Sequence, residues 1–435
     1  MSLSQHPKAA YGTALVAAAA AAAAAFVAVV ALGLTDRYMV DAETRLQRKA
    51  SRSLRRQSSF FSVRLEDRDP GADEAQGVEA CIGNTPLFEI TSLSEATGRT
   101  ILAKAEFLNG AGNSPKDRVA LSIIQDAERR GLLVPGRGDT IYEGSVGSTG
   151  ISLAALARAR GYRAHVCMPD DQSLEKSDLL RHLGATVERV PVEPISSEDH
   201  FVNLARRRAE EHAQKARDGS RGFFADQFES DANWRAHFDT TGPEIFVQTG
   251  GGDLDAFVAG AGTAGTISGV ARYLKLEAGL ARLRVVIADP HGSGLYNKIK
   301  YGVMYSPTER EGTRRRQQVD SLVEGIGINR VTHNLDIGYH LIDDAVRVSD
   351  DQACRMARWL VSHDGLFVGS SSAVNCAAAV AVAMSLPPGS RVVTVLCDSG
   401  TRHLSKFWSR IKEMGLEDTE TTDLFAELGM SQSQA

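Results

Sequence analysis

One lysine stands where a sequence can make an ammonium group reactive. Lys116 closes a run rich in Gly, Asn and Ser, NGAGNSPK (109–116), and a helical pattern follows it. The positive end of a helix and partial burial would both lower the pKa of such an ammonium. A lysine tuned in this way can form a Schiff base and act as a general base. Taken alone, however, the pattern fits a surface lysine beside a loop better.

Two loops of small residues could bind anions. EGSVGSTG (143–150) follows the strand-like TIYEG and precedes a helix, so its backbone N–H groups could face a carboxylate. GAGTAGTISG (260–269) follows DAFVA, and small residues at a helix start can cradle a phosphate. Either loop could instead be a tight connection between a strand and a helix.

The second loop also has a competing interpretation as part of a dinucleotide site. It matches G-x-G-x-x-G, and Asp289 ends the next strand-like run 24 residues after Gly265. A ribose-binding acid is expected near that distance, so an NAD-dependent dehydrogenase is an alternative. The position deep in the chain weighs against it, and it leaves Lys116 unexplained.

A serine cluster is the fourth candidate. GLFVGSSSAVN (365–375) places three serines after an apolar, strand-like run and before an Ala-rich helix. One hydroxyl could face a heteroaromatic nitrogen, although helix capping is the preferred explanation for the segment alone.

An alternation of strands and helices must position these groups. Strand-like runs occupy 101–107, 163–168, 255–259, 283–289 and 391–397. Helical patterns occupy 150–160, 173–183, 199–216 and 401–414, and Ser349 with Gln352 forms a capping box. This alternation over 435 residues predicts two α/β lobes with mostly parallel sheets.

Charge and cysteine content narrow the classes of function. The net charge is −5, but residues 1–64 carry nine Lys/Arg against three Asp/Glu, which leaves the rest of the chain acidic. An acidic body argues against nucleic acid as a partner. The five cysteines are scattered without a CxxC pair, which indicates reduced thiols and no metal site.

The head of the chain resembles a membrane anchor. Residues 12–34 contain no charge and would form a helix roughly 35 Å long, enough to span a bilayer. Basic residues follow the span, which predicts that the body faces the cytosol. A low-complexity helix that never inserts, a cleaved signal and a mitochondrial presequence remain alternatives. Residues 35–78 are a polar linker, so 1–78 are expected to be anchor and linker.

The motifs together resemble a known family. IGNTPL (82–87), 227–245, VEGIGIN (323–329) and DSGTRHLSKF (398–407) occur with them in family order. The chain is similar to the cysteine synthase and cystathionine beta-synthase family, which are fold-type II pyridoxal-phosphate enzymes. The head looks like that of fungal homologues anchored in the mitochondrial outer membrane.

The resemblance implies a two-lobed α/β fold like that of tryptophan synthase beta, with an N-terminal transmembrane helix. It implies a large lobe from 79–108 and 231–417, a small lobe from 109–230 and a tail at 418–435. It also implies a homodimer, with pyridoxal 5'-phosphate as cofactor and an amino acid and sulfide as substrates.

The resemblance also assigns roles to single residues. Lys116 matches the lysine that forms the Schiff base with the cofactor, and Ser371 the serine that meets its pyridine nitrogen. The remaining matches are the phosphate loop Gly262, Thr263, Ala264, Gly265 and Thr266, the loop Ser145, Val146, Gly147, Ser148 and Thr149 that grips the substrate carboxylate, and the pocket glutamine Gln227.

Three positions depart from the family pattern. Ser148 replaces an Asn that contacts the phenolic oxygen of the cofactor, Val146 replaces a hydroxyl residue, and Ala264 replaces a Gly. The implied reaction replaces the acyloxy group of an O-acylated serine by sulfide and gives L-cysteine. Cystathionine formation from serine and homocysteine is a close alternative, and the altered loop motivates another, a membrane-anchored pseudoenzyme.

Overall fold

The computed structural model describes residues 77–172, 174–305, 321–417 and 422–430. The chain divides into two units, Met1–Glu74 and Ala75–Ala435, and the described residues belong to the second. The predicted anchor at 12–34 and a charged run at 308–318 lie outside the described residues. Within the described ranges, no helix combines the length and apolar character needed to cross a membrane.

Strands in the described residues form two sheets. In chain order they are β1 Leu87–Glu89, β2 Thr100–Ala105, β3 Thr140–Gly144, β4 Arg163–Pro169, β5 Thr186–Val190, β6 Gly222–Phe224, β7 Ala256–Gly260, β8 Arg284–Pro290, β9 Asp344–Val348 and β10 Arg391–Leu396. The larger sheet has the order β1-β2-β10-β7-β8-β9, and only the β1–β2 pair is antiparallel. The smaller sheet, β5-β4-β3-β6, is parallel throughout.

Helices connect these strands. The described α-helices are α1 Thr91–Thr97, α2 Lys116–Arg129, α3 Ser148–Ala159, α4 Leu174–His182, α5 Phe201–Lys215, α6 Asp231–Ala236, α7 Gly242–Gln248, α8 Gly265–Arg272, α9 Leu295–Tyr301, α10 His333–Gly338, α11 Asp350–Asp364, α12 Ser370–Met384, α13 Ser409–Glu413 and α14 Leu424–Leu428. The predicted α/β class with mostly parallel sheets is therefore confirmed. The sheets also follow the predicted lobes, whose boundaries remain a prediction.

One buried helix fixes part of the site. The small side chains of α12, including Ala373, Ala377 and Ala378, are fully buried and let the helix lie close to the larger sheet. The Asn375 side chain of this helix accepts a hydrogen bond from the amide of Gly260, at the carboxyl end of β7. Loops after the carboxyl ends of parallel strands are where such folds place ligands.

Most predicted elements lie within two residues of their expected bounds, and the capping box that opens α11 is confirmed. One expectation is wrong and another is confirmed only in part. Residues 365–369 form no strand, and only Val368 makes an isolated bridge, to Ser399. The range 401–414 is helical as predicted, but in three pieces: a 3-10 turn, a π-helical turn and the short α13.

Candidate active site

The predicted site residues come from segments far apart in the chain, yet they line one cleft. The lining includes Lys116, Ser145, Val146, Ser148, Thr149, Gln227, Gly262, Thr263, Ala264, Gly265, Thr266 and Ser371. Gly147 is buried within the loop that carries four of them. The structure thus brings the four motifs together in space.

Lys116 has the environment expected of a reactive lysine. It is the first residue of α2, and Pro115 occupies the N-cap position. Burial lowers the pKa of its ammonium, while the carboxylates of Asp398 and Glu106 oppose that effect. A lowered pKa increases the fraction of neutral amine, the form that can attack a carbonyl group.

The next residue, Asp117, holds the loop in front of the lysine. Its carboxylate accepts hydrogen bonds from the amides of Ala111 and Gly112, at 3.1 and 2.7 Å. It also accepts one from the hydroxyl of Ser152 in α3, at 2.6 Å. The carboxylate therefore ties the Lys116 loop to the helix that follows the second motif.

Arg118 anchors the start of the same helix in a buried ionic network. Its guanidinium donates to both carboxylate oxygens of Glu106 at 2.8 Å, and to Glu244 Oε1 at 2.6 Å. The fully buried ammonium of Lys104 donates to the other oxygen of Glu244, also at 2.6 Å. Two cations and two carboxylates thus connect β2, α2 and α7 and fix the position from which Lys116 projects.

The loop at 262–266 has the shape of a phosphate cradle. A Cβ atom at Gly262 would lie 2.5 Å from the carbonyl oxygen of Gly325, and one at Gly265 would lie 1.9 Å from Asn233 Oδ1. Ala264 has a left-handed backbone, with φ 67°, at the N-cap of α8. The amides of the first turn of α8 have no partner within the helix and favour an anion. These residues fit the phosphate of the implied cofactor.

A neutral histidine supports the last residue of that loop. His237 Nε2 lies 3.1 Å from the Thr266 hydroxyl, and His237 Nδ1 lies 2.9 Å from the Thr241 hydroxyl. Burial lowers the pKa of His237 to about 3. If Nε2 carries the proton, it donates to Thr266 Oγ1 and leaves that hydroxyl hydrogen free for a phosphate oxygen.

The loop at 145–149 begins α3. Ser145 Oγ accepts hydrogen bonds from the amides of Gly147 and Gly150, at 3.2 and 3.1 Å, and shapes the turn. The first amides of α3 have no intrahelical partner and can face a carboxylate. Val146 lines the cleft without contributing a polar side-chain atom, and the Ser148 hydroxyl is too short to reach as far as an Asn amide.

Gln227 supports this loop from behind. Its side-chain oxygen accepts a hydrogen bond from the Thr149 hydroxyl at 2.5 Å. Its amide nitrogen donates to Glu143 Oε1 and to the carbonyl of Gly144, at 3.0 and 3.1 Å. Burial and the nearby carboxylate of Asp226 raise the pKa of Glu143 to about 8. These bonds orient the hydroxyl of Thr149.

The three serines of α12 have distinct environments. The Ser370 hydroxyl accepts a hydrogen bond from the amide of Glu324, and the Ser372 hydroxyl accepts one from the amide of Cys397. Only Ser371 lines the cleft, and Gly369 is the N-cap, so none of them caps the helix. The geometry selects Ser371 as the hydroxyl that can meet a heteroaromatic nitrogen.

A thiol that sequence reasoning did not select lies beside Ser371. Burial raises the pKa of Cys397 to about 12, and the Ser371 hydroxyl interacts with the thiol. The side-chain amide of Asn375 points to the same sulfur at 3.6 Å. The thiol and the amide are neutral neighbours, which favour a neutral pyridine nitrogen at Ser371.

Charged side chains of the cleft were also missed. They include Lys176, Glu324, Asp398, Arg402 and His403, and the lining also contains Asp171, Arg330 and Lys406. Glu324 lies within VEGIGIN, and four others lie within DSGTRHLSKF, so the resemblance pointed to their segments without assigning them a role. Lys176 occupies a predicted helix, where nothing in the sequence distinguishes it from a solvated lysine.

Asp289, the acidic residue that the dinucleotide interpretation requires, is not available to a ligand. Asp289 is fully buried at the end of β8, and it accepts a hydrogen bond from the amide of Tyr296 at 2.7 Å. A carboxylate in that position cannot reach the ribose of a bound nucleotide. The structure therefore argues against the interpretation of this chain as an NAD-dependent dehydrogenase.

Among the residues that the structure describes, one group of metal-ligand type lies outside the cleft. His165, Cys167 and Glu188 on β4 and β5 have ligand atoms within 4.8 Å of one another. Arg208, however, binds both oxygens of Glu188, at 2.8 and 3.1 Å, and burial raises the pKa of the Cys167 thiol to about 12. The guanidinium already supplies the positive charge that a metal ion would bring.

Comparison with known proteins gives a consistent result. The model of a family described as pyridoxal-phosphate dependent enzyme matches residues 78–398. Cysteine synthase 2 of Neurospora crassa is 64% identical over 460 aligned residues, which cover 99% of each chain. A Saccharomyces cerevisiae protein, provisionally named a mitochondrial cysteine synthase, is 56% identical over 339 residues, 78% of this chain and 85% of its own.

A solved structure extends the similarity to three dimensions. An O-ureido-L-serine synthase superimposes with a TM-score of 0.66 at 32% sequence identity. The match covers 80% of this chain and 97% of that chain.

Proposed function

We propose, from the premise that the chain belongs to the family of pyridoxal-phosphate dependent enzymes, that it replaces the acyloxy group of an O-acylated serine by sulfide and releases L-cysteine and a carboxylate. The observation that carries the proposal is the meeting, in one cleft, of Lys116, the phosphate loop and Ser371. The 64% identity to a cysteine synthase from Neurospora crassa supports the choice of reaction.

Each motif has a proposed task in this reaction. Lys116 holds the cofactor covalently and, once released from it, takes and returns the Cα proton of the substrate. The loop 262–266 binds the phosphate group, and Ser371 meets the pyridine nitrogen. When bound in the cleft, the cofactor would stabilise negative charge at Cα, so that the acyloxy group could leave from Cβ as a carboxylate. The loop 145–149 holds the substrate carboxylate, and Gln227 keeps that loop in place.

The neutral surroundings of Ser371 match elimination at Cβ. A hydroxyl would leave the pyridine nitrogen unprotonated, so the cofactor would withdraw electrons less strongly than beside a carboxylate, which would keep that nitrogen protonated. Weaker electron withdrawal by the cofactor favours loss of a good leaving group from Cβ over other reactions that begin at Cα. An acylated serine carries such a leaving group, whereas serine itself does not.

We further propose a location for the enzyme. Residues 12–34 anchor it in the mitochondrial outer membrane, with the body in the cytosol. The uncharged span and the basic residues after it support the anchor. The name of the Saccharomyces cerevisiae relative supports mitochondria. We propose a homodimer as the working assembly.

Borohydride reduction of the purified protein tests the assignment of Lys116. The visible absorption band of the bound cofactor should disappear on reduction, and mass spectrometry should find the pyridoxyl group on Lys116. Lys116→Ala should lose the band. A label on any other lysine would end the assignment.

A turnover assay tests the substrate. O-acetyl-L-serine and sulfide should give L-cysteine, and homocysteine in place of sulfide should give little cystathionine. A preference for homocysteine would favour the alternative synthase. Cofactor binding without either product would favour a pseudoenzyme.

A further inference from the structure

A second lysine lies against the loop that is proposed to hold the substrate carboxylate. The side chain of Lys176, in α4, passes over Gly147, where a Cβ atom would lie 3.3 Å from its Cδ and 3.6 Å from its Nζ. The side chain is only 9% exposed and lines the cleft. An ammonium group thus lies at the loop, within the cleft.

The carboxylate loop is short of side-chain donors at this place. Val146 has no polar side-chain atom, and the Thr149 hydroxyl donates to Gln227. This leaves the uncharged hydroxyls of Ser145 and Ser148 as the side-chain donors of the loop. Ser145 Oγ accepts from two backbone amides, which removes those amides from use by a ligand. The backbone donors that remain carry no formal charge, so a nearby cation would add a charge-assisted bond.

Glu324 holds the ammonium in position. Glu324 Oε2 lies 2.8 Å from Lys176 Nζ and 3.4 Å from His403 Nδ1. The imidazole of His403 is in turn paired with Asp398 at 3.0 Å. Because Glu324 has a second cationic neighbour, Lys176 can turn toward another carboxylate without leaving Glu324 unpaired.

We propose that Lys176 is a positioning residue for the substrate, and that its ammonium binds the α-carboxylate at the loop 145–149. The inference rests on the proposed function, since it requires an amino acid in the cleft. The lysine supplies the polar contact that Val146 cannot make, and Glu324 keeps it poised when no substrate is bound.

Kinetics of Lys176→Met in the full-length holoenzyme test the proposal. One charge-assisted hydrogen bond is worth roughly 10- to 100-fold in affinity, so the KM for O-acetyl-L-serine should rise by about that factor. The kcat should change much less, because Lys176 makes no contact with the reacting bond. Lys176→Arg keeps the cation and should recover most of the affinity.

A pair of ligands separates recognition of the carboxylate from general damage. Titration of the cofactor absorbance with L-serine should show weaker binding in Lys176→Met, whereas binding of L-serinamide, which lacks the carboxylate, should be unchanged. Lys275→Met is the matched control. Lys275 is also 9% exposed and pairs with Asp343 at 2.6 Å, away from the cleft, so its loss should alter neither ligand.

The outcomes separate a failure of the proposed role of Lys176 from a failure of the proposed function. Equal weakening of L-serine and L-serinamide, or a fall in kcat at unchanged KM, would overturn the role of Lys176 and leave the proposed function intact. A wild-type holoenzyme that binds neither amino acid nor amide and makes no cysteine would overturn both.

Discussion

Replacing Glu106 by Gln tests whether the buried ionic network holds the Lys116 helix in place. Burial alone would raise the pKa of Glu106, but the guanidinium of Arg118 and the hydroxyl of Thr85 lower it to about 2 from a usual 4.5. A shift of that size corresponds to roughly 3 kcal/mol of stability. Removing one partner of a buried ion pair typically costs about 3–5 kcal/mol. Both estimates predict that Glu106→Gln destabilises the fold by about 3 kcal/mol.

Urea unfolding of the full-length protein in detergent at pH 7 measures this loss. Glu89→Gln is the control, because Glu89 is an exposed carboxylate on β1. The folded-state pKa of Glu106 is depressed, so its contribution is present above the unfolded pKa of 4.5 and is lost as the pH falls toward 2. The difference between wild type and variant should therefore shrink below pH 4.5.

A loss below about 1 kcal/mol at pH 7, the size seen for exposed ion pairs, would refute the reasoning. The same change has a functional consequence. The carboxylate of Glu106 raises the pKa of the Lys116 ammonium, so its removal should lower that pKa further. In the apoprotein, where Lys116 carries a free amine, the pH midpoint of its labelling by an amine reagent should move in the same direction.

Two further variants and one fractionation experiment test the remaining assignments. Thr266→Ala should weaken cofactor binding by about 1–3 kcal/mol in a titration of the apoprotein, and an unchanged affinity would show that the hydroxyl serves only His237. Val146→Ser combined with Ser148→Asn should raise kcat/KM for O-acetyl-L-serine; a decrease would show that the loop is tuned to another substrate. Carbonate extraction of mitochondria should leave the protein in the pellet, and protease should digest the body on intact organelles. Release of the protein, or full protection, would contradict the proposed anchor or its orientation.

Local pattern predicted the elements whose residues are neighbours in the chain. The strands β3 and β7 and the helices after them follow from apolar runs and small-residue loops, and the capping box at Ser349 lies as expected. The helix predicted at 401–414 is interrupted at His403, because tertiary contacts decide the backbone there. The imidazole of His403 forms ion pairs with Asp398 and Glu324.

The choice among the three serines could not be made from local pattern, and only the family resemblance selected Ser371. Ser370, Ser371 and Ser372 are three consecutive residues of the same type. Ser370 and Ser372 bind the backbone amides of Glu324 and Cys397, and Ser371 is left facing the cleft. Those partners lie 46 and 25 positions away from the serines that they bind. Local propensity contains no information about contacts at such separations.

The same physical reason explains why the ionic groups of the site were missed. Lys104 and Glu244 lie 140 positions apart, and each alone would be expected on the surface. Lys176 and Glu324 come from α4 and from the loop that faces the phosphate cradle, so only the fold makes them a pair. A lysine on a solvated helix and a lysine against a carboxylate loop have the same sequence signature. Val146 is informative in this respect, because an apolar residue in a loop that should bind a carboxylate implies that the missing donor comes from elsewhere. Lys176 is the cation that the fold brings to that loop.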